Sequence, residues 1–162
     1  MDPDQGEHCG KPYEIDAVPF TVENATDLAD NYFEYGDEVC PTDSWQNNGQ
    51  GSESPDHVYR FKAPEPGNYR FEILSGDGFF TPAMYLATSC QDIDGSCLGV
   101  VENSSSWTSK ELTHYMGWGD ELFVVVDGAD SAFWEEFGPY VLTIDAFEGC
   151  PENCAGKECG SD

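Results

Sequence analysis

An all-β fold is predicted by three features of the sequence. Nowhere do apolar residues keep a 3.6-residue period over three turns of a helix. Leu122 to Val126 instead form a short unbroken apolar run between Asp120 and Asp127-Gly128, as expected of a strand buried inside a sheet. After Gly138-Pro139, Tyr140, Leu142 and Ile144 fall on one face and Val141, Thr143 and Asp145 on the other, which is the period of a half-buried strand.

The preceding chain supplies partners for these two strands. Residues 1 to 14 show no periodicity and read as an N-terminal arm tied down by Cys9, and Ala17 to Val22 reads as the first strand. A long stretch rich in Asp, Asn, Gly and Ser follows, up to Asp56. A loop of that length inside a compact domain is functional or pinned, and Cys40 is placed to pin it. From His57 to Ala63 and from Tyr69 to Ile73, aromatic and aliphatic residues alternate with polar ones. The connection between them, APEPGN, predicts an antiparallel hairpin. Arg60, Lys62 and Arg70 fall on its outward face, where acidic neighbours can meet them. Strands are also expected at Pro82 to Thr88, at Leu98 to Val101 and, more weakly patterned, at Ser109 to Tyr115. Residues 15–147 then form one β domain, and residues 148–162, with Cys150, Cys154 and Cys159, begin a cysteine-rich tail.

Composition bounds the function. With 162 residues the chain can bury one core, and ten Phe, eight Tyr and four Trp supply it. The formal charge of -26, from 32 carboxylates against six bases, excludes the counterion-releasing chemistry of nucleic-acid binding and disfavours anionic membranes. No apolar run approaches the length that inserts into a bilayer. Seven cysteines in so acidic and loop-rich a chain point to disulfides, and so to a secreted or cell-surface protein. No secretory leader precedes the domain, so export is inferred from cysteine usage alone. The odd cysteine is expected to find its partner in a larger multidomain protein of which this chain is a fragment. Cys90 and Cys97 bound a polar loop and are expected to pair with each other, Cys9 with Cys40, and the tail cysteines to pair among themselves or remain incomplete; zinc in the tail lacks the ligands of a tetrahedral site.

The order of motifs carries a family resemblance. PDHVYRFKAPEPGNYRFEI, then PAMYLATSCQDIDGSCLGV, then GDELFVVVDG, then FGPYVLTI resembles the bacterial pre-peptidase C-terminal domain over about residues 15–147, and the tail is similar to cysteine cassettes beside such domains in secreted proteins of myxobacteria and their relatives. The resemblance implies a jelly-roll-like β-sandwich of about eight or nine antiparallel strands, without catalytic activity. It also implies calcium in some relatives and an exposed face that holds an insoluble polymer. The family's Asn-Asp-Asp turn after the LY strand is absent here, where Val101-Glu102-Asn103-Ser104 stands instead.

Read residue by residue, two acidic loops suit calcium, which takes six to eight oxygens from carboxylates and carbonyls on flexible loops. Asp127, Asp130 and Glu135, with Glu136, lie between the last two strands. Asp27, Asp30 and Asp37, with Asn31, lie in the long first loop. Solvated surface carboxylates are the plain alternative for each. Asp92 and Asp94 before Gly95 imitate an EF-hand fragment without its remaining ligands and are discounted. All four Trp fall at loops or strand ends. Trp118 and Trp134 are assigned to a ligand-binding surface, where an indole can cover the apolar face of a pyranose, and Trp45 and Trp107 to capping the fold. Asn24-Ala-Thr26 and Asn103-Ser-Ser105 fit the glycosylation sequon. No Ser, Cys or His stands in a nucleophile or zinc-protease motif. The expected function is therefore a calcium-stabilised extracellular accessory module that holds polysaccharide or another surface polymer. The alternatives are a spacer or display domain with no ligand of its own, and third a glycoside hydrolase.

Overall fold

The computed structural model describes residues 5–27, 29, 55–102, 108–128 and 137–148. Among them the strands are β1 (Tyr13–Ile15), β2 (Phe20–Ala25), β3 (His57–Lys62), β4 (Gly67–Ser75), β5 (Pro82–Ala87), β6 (Cys97–Glu102), β7 (Lys110–Met116), β8 (Glu121–Gly128) and β9 (Pro139–Phe147). One helical turn, α1 (Ile93–Ser96), precedes β6. A five-stranded sheet in the order β1-β3-β8-β5-β6 faces a four-stranded sheet in the order β2-β9-β4-β7, which is a β-sandwich. All pairings are antiparallel except β1 with β3.

The core lies between the sheets. Tyr59 and Phe61 of β3, Tyr69, Phe71 and Ile73 of β4, Leu122, Val124 and Val126 of β8, and Tyr140, Leu142 and Ile144 of β9 all point inward and are buried. Burial on both faces explains why β5 and β8 read as continuous apolar runs. Met84, Leu86, Val124 and Val126 meet the opposite sheet, while Ala83, Tyr85, Ala87 and Val125 join Val58, Cys90 and Ile93 in a second cluster on the outer face. The four-stranded sheet has a polar outer face and therefore shows clean alternation. There Arg70 reaches Asp145 at 3.6 Å and Glu111 at 3.9 Å. On the other sheet, Arg60 reaches Glu14 at 2.7 Å and Lys62 reaches Glu121 at 3.8 Å, so the three outward bases do meet acidic neighbours.

Three expectations are corrected. The strands on either side of APEPGN form no hairpin: β3 and β4 lie in different sheets, and the Pro-rich link crosses between them. Both strands carry aromatic inward faces, which bury more surface against each other than side by side. Phe61 meets Tyr69 edge-on at 5.0 Å and Phe71 at 5.6 Å. The first strand begins at Phe20 rather than Ala17, and Tyr13–Ile15, expected to belong to an unstructured arm and the domain boundary, is itself a strand. Three residues are too few to show a period; the ring of Tyr13 against Tyr59, 5.0 Å away, and pairing with β3 decide it.

The third correction is the disulfide. Cys90 pairs with Cys9, 81 residues away, so neither the Cys90–Cys97 nor the Cys9–Cys40 pairing forms. The Cys90 side chain is buried in the outer-face cluster and Cys9 packs on that cluster, so the bond fastens the arm to the sheet. The short loop closes without a bridge. The Ser96 hydroxyl accepts from Ser89 N–H and donates to Ser89 O, and Asp92 accepts from Gly95 N–H. Cys97 is also disulfide-bonded, and the pairings expected for the tail cysteines lie outside the described residues.

Candidate functional site

Strand connectivity gathers the long loops at one end of the sandwich. β2, β4, β6 and β8 end there and β3, β5, β7 and β9 start there, so segments 26–56, 76–81, 103–109 and 129–138 all leave the same end. The described ends of the two acidic stretches, at Asp27 and at Asp127–Gly128, thus lie at the same end of the sandwich although about a hundred residues apart in sequence. Thr26 ties them: its N–H donates to Gly138 O at 3.1 Å and its hydroxyl accepts from Gly138 N–H at 3.2 Å.

The register of β3 and β8 creates the most unusual feature of this end. One residue beyond the His57–Val126 pair, Asp56 stands opposite Asp127 on the outer face of the five-stranded sheet. Both are 0% exposed. Asp127 Oδ1 accepts from Gly128 N–H at 2.6 Å, while Oδ2 is enclosed with no hydrogen-bond donor. Burial, and then the neighbouring Asp56 charge, hold the Asp127 carboxyl well above the usual carboxylate range. Thr81, one residue before Pro82 in the Pro82–Gly128 pair, adds a second buried oxygen with no partner.

Behind this pair a polar chain runs into the core. His57 Nδ1 lies 2.7 Å from the Tyr140 hydroxyl, Tyr140 2.6 Å from the Tyr59 hydroxyl, and Asn24 Nδ2 donates to Tyr59 at 3.2 Å. Desolvation pulls His57 down to about 4 against the opposing pull of Asp27, and pushes Tyr59 up to about 12 and Tyr140 well above its ordinary value. Asn24 is committed to this network and Thr26 is fully buried, so the first sequon presents no free amide in the folded domain.

Of the sequence-predicted metal residues, Asp127 is at this centre, Asp27 is an exposed carboxylate near His57, and Asp130, Glu135, Asp30 and Asp37 lie outside the described residues. Among the described residues no group of three or more His, Cys, Asp or Glu is arranged to hold a metal ion. Asp56 was missed because a carboxylate directly before a core strand looks like any turn residue until the pairing of β3 with β8 is known.

The aromatic expectation divides. Trp118, 75% exposed, sits in the Gly117–Asp120 turn at the other end of the sandwich, whereas Trp134 lies outside the described residues, in the segment leaving the acidic end. The two ends of that segment and Trp118 are on opposite ends of the fold. Two exposed rings that sequence reading missed, Phe79 and Phe137, belong to the acidic end. The Trp118 end also holds an open cleft of about 710 Å³ bounded by Asp16, Glu65, Tyr69, Phe147 and Glu148. Among the described residues no helix is long and apolar enough to cross a membrane.

No family model matches the chain, and no curated protein matches it. Among solved structures it is similar to the pre-peptidase C-terminal domain of collagenase from Bacillus anthracis, with a TM-score of 0.48 and 13% identity over 83% of this chain and 95% of that one. It is also similar to the Podospora anserina GH26-CBM35 β-(1,4)-mannanase (TM-score 0.37, 10% identity, 82% of this chain and 29% of that one). A third is CBM35 from Cellvibrio japonicus Abf62 (TM-score 0.33, 14% identity, 78% and 97%).

Proposed function

We propose that this domain is a non-catalytic extracellular module that takes up calcium at its acidic end and holds a polysaccharide or other surface polymer. The observation that carries the reading is the enclosed Asp127 carboxylate with its undonated Oδ2 opposite Asp56. Burying the Asp127 carboxylate with one oxygen unsatisfied and a second carboxylate opposite it is costly, and a divalent cation offsets that cost directly. Asp56 and Asp127 would supply the buried ligands, and Asp27, Asp130 and Glu135 are candidates for the remaining oxygens. The disulfide-tied arm and the disulfide at Cys97 support an oxidising, extracellular setting. Catalysis finds no support in the His57 network, because its imidazole contacts a tyrosine hydroxyl rather than a nucleophile poised at a cleft.

The test is thermal unfolding in high salt. At 1 M sodium chloride the Debye length falls to about 3 Å, so general screening is saturated and a coordinated ion still adds stability. A hundredfold excess of calcium over its Kd should contribute about 2.7 kcal/mol, and magnesium, which demands near-octahedral geometry, much less. Asp127→Asn should raise the melting temperature of the calcium-free protein at neutral pH and abolish the calcium response. Equal responses to both ions, or an Asp127→Asn variant that still responds fully, would place any cation elsewhere.

A further inference from the structure

We infer that the ligand-contacting rings of this module are Phe79 and Phe137, which together offer an apolar platform to an uncharged polysaccharide at the acidic end. The inference rests on the polymer-holding reading above and adds the surface and the kind of polymer. Phe79 is 62% exposed and Phe137 48%, large apolar areas to leave in water. Neither is a loose loop residue. Asp77 Oδ1 accepts from Phe79 N–H at 2.8 Å and from Phe80 N–H at 3.1 Å, and Ser75 Oγ accepts from Gly78 N–H at 3.1 Å, which fixes the turn. Phe80 takes the inward place and is fully buried, so Phe79, its neighbour, is directed outward.

The same turn fixes Phe137. Gly76 N–H donates to Pro139 O at 2.7 Å, and a Cβ on Gly138 would stand 2.7 Å from Phe80 Cβ, so the chain carrying Phe137 passes directly against the turn carrying Phe79. Thr26 clasps Gly138 from the other side. Both rings are therefore held by fixed backbone at the end of the sandwich where β8 closes, whereas Trp118 and Tyr115 are exposed at the far end. Charge selects the occupant. A chain of net charge -26, with Asp27 and Asp77 on this end, repels polyanions, while a neutral pyranose offers a C–H face to the rings and hydroxyls to the carboxylates.

The experiment is depletion binding of the whole chain, with calcium, to insoluble cellulose, chitin and mannan, with fibrillar collagen as the non-sugar polymer. The wild type should bind at least one of the glycans. Phe79→Ala with Phe137→Ala should weaken that binding about tenfold or more, and Phe79→Tyr should keep it. Trp118→Ala should leave it within about twofold. The melting temperature of each variant controls for folding, and exposed positions should leave it nearly unchanged. Binding that survives the double substitution, or is lost with Trp118→Ala, overturns the platform and leaves the polymer-holding function standing. Binding to collagen alone overturns the choice of an uncharged polysaccharide. Binding to none of the four overturns both.

Discussion

His57 and Asp127 are buried titratable groups whose shifts have opposite consequences for stability. His57 is held near 4 in the fold, below its ordinary 6.5, so the unfolded chain takes up a proton first as pH falls. Stability therefore declines between about pH 6.5 and 4, by roughly 3 kcal/mol for a shift of this size. Asp127 is shifted upward, so its contribution is complete below the ordinary carboxylate value and is lost as pH rises through its folded value. Urea unfolding against pH in the absence of divalent ions should show both limbs. His57→Gln, which retains a partner for Tyr140, should flatten the acid limb, and Asp127→Asn should flatten the other. An acid limb of unchanged slope in His57→Gln would assign it to the exposed carboxylates.

At the scale of elements, the sequence was most legible where burial is two-sided or cleanly alternating. Leu122–Val126 and Tyr140–Ile144 are the centres of β8 and β9, because a strand between two neighbours leaves its burial pattern in the chain. The failures have one cause, which is that the deciding interaction is distant. APEPGN has the composition of a hairpin turn, but only the aromatic faces of β3 and β4 decide that it crosses between sheets. Cys90 and Cys97 are close in sequence, yet the outer-face cluster turns Cys90 toward the arm. At the candidate site, Asp127 was legible as a carboxylate ending a buried strand, whereas Asp56, Phe79 and Phe137 needed the register and the turn to be recognised. The disulfide yields a prediction at this scale. Non-reducing peptide mapping should recover Cys9 linked to Cys90, and Cys9→Ser with Cys90→Ser should cost up to about 4.5 kcal/mol for a closed loop of 81 residues in the chain-entropy model. Recovery of a Cys90–Cys97 peptide would return the bond to the short loop.

For the molecule as a whole, the two ends of the sandwich differ in what holds them. At the end carrying Pro64–Pro66 and the Gly117–Asp120 turn, links are short: Ala63 N–H donates to Asp120 O, Gly117 N–H to Asp120 Oδ2, and Tyr69 is fully buried beneath. At the acidic end, the strands close beside the buried Asp56 and Asp127 carboxylates, and Asp127 Oδ2 has no hydrogen-bond partner. Removing a bound cation should therefore loosen the molecule from one end rather than uniformly. Amide hydrogen exchange with calcium and with chelator is the measurement, in high salt so that screening is equal. Protection should fall at Val58, Gly128, Gly138 and Thr26, whose N–H groups lie at that end of the sandwich, and stay unchanged at Phe71, Leu122 and Ala63. The Thr26 clasp is the mechanical link between the two loops, so Thr26→Val, which keeps the shape and deletes the hydroxyl, should lower protection at Gly138 even with calcium present. A fall shared equally by both ends would mean that the ion acts on the net charge of the whole chain and has no seat at Asp127.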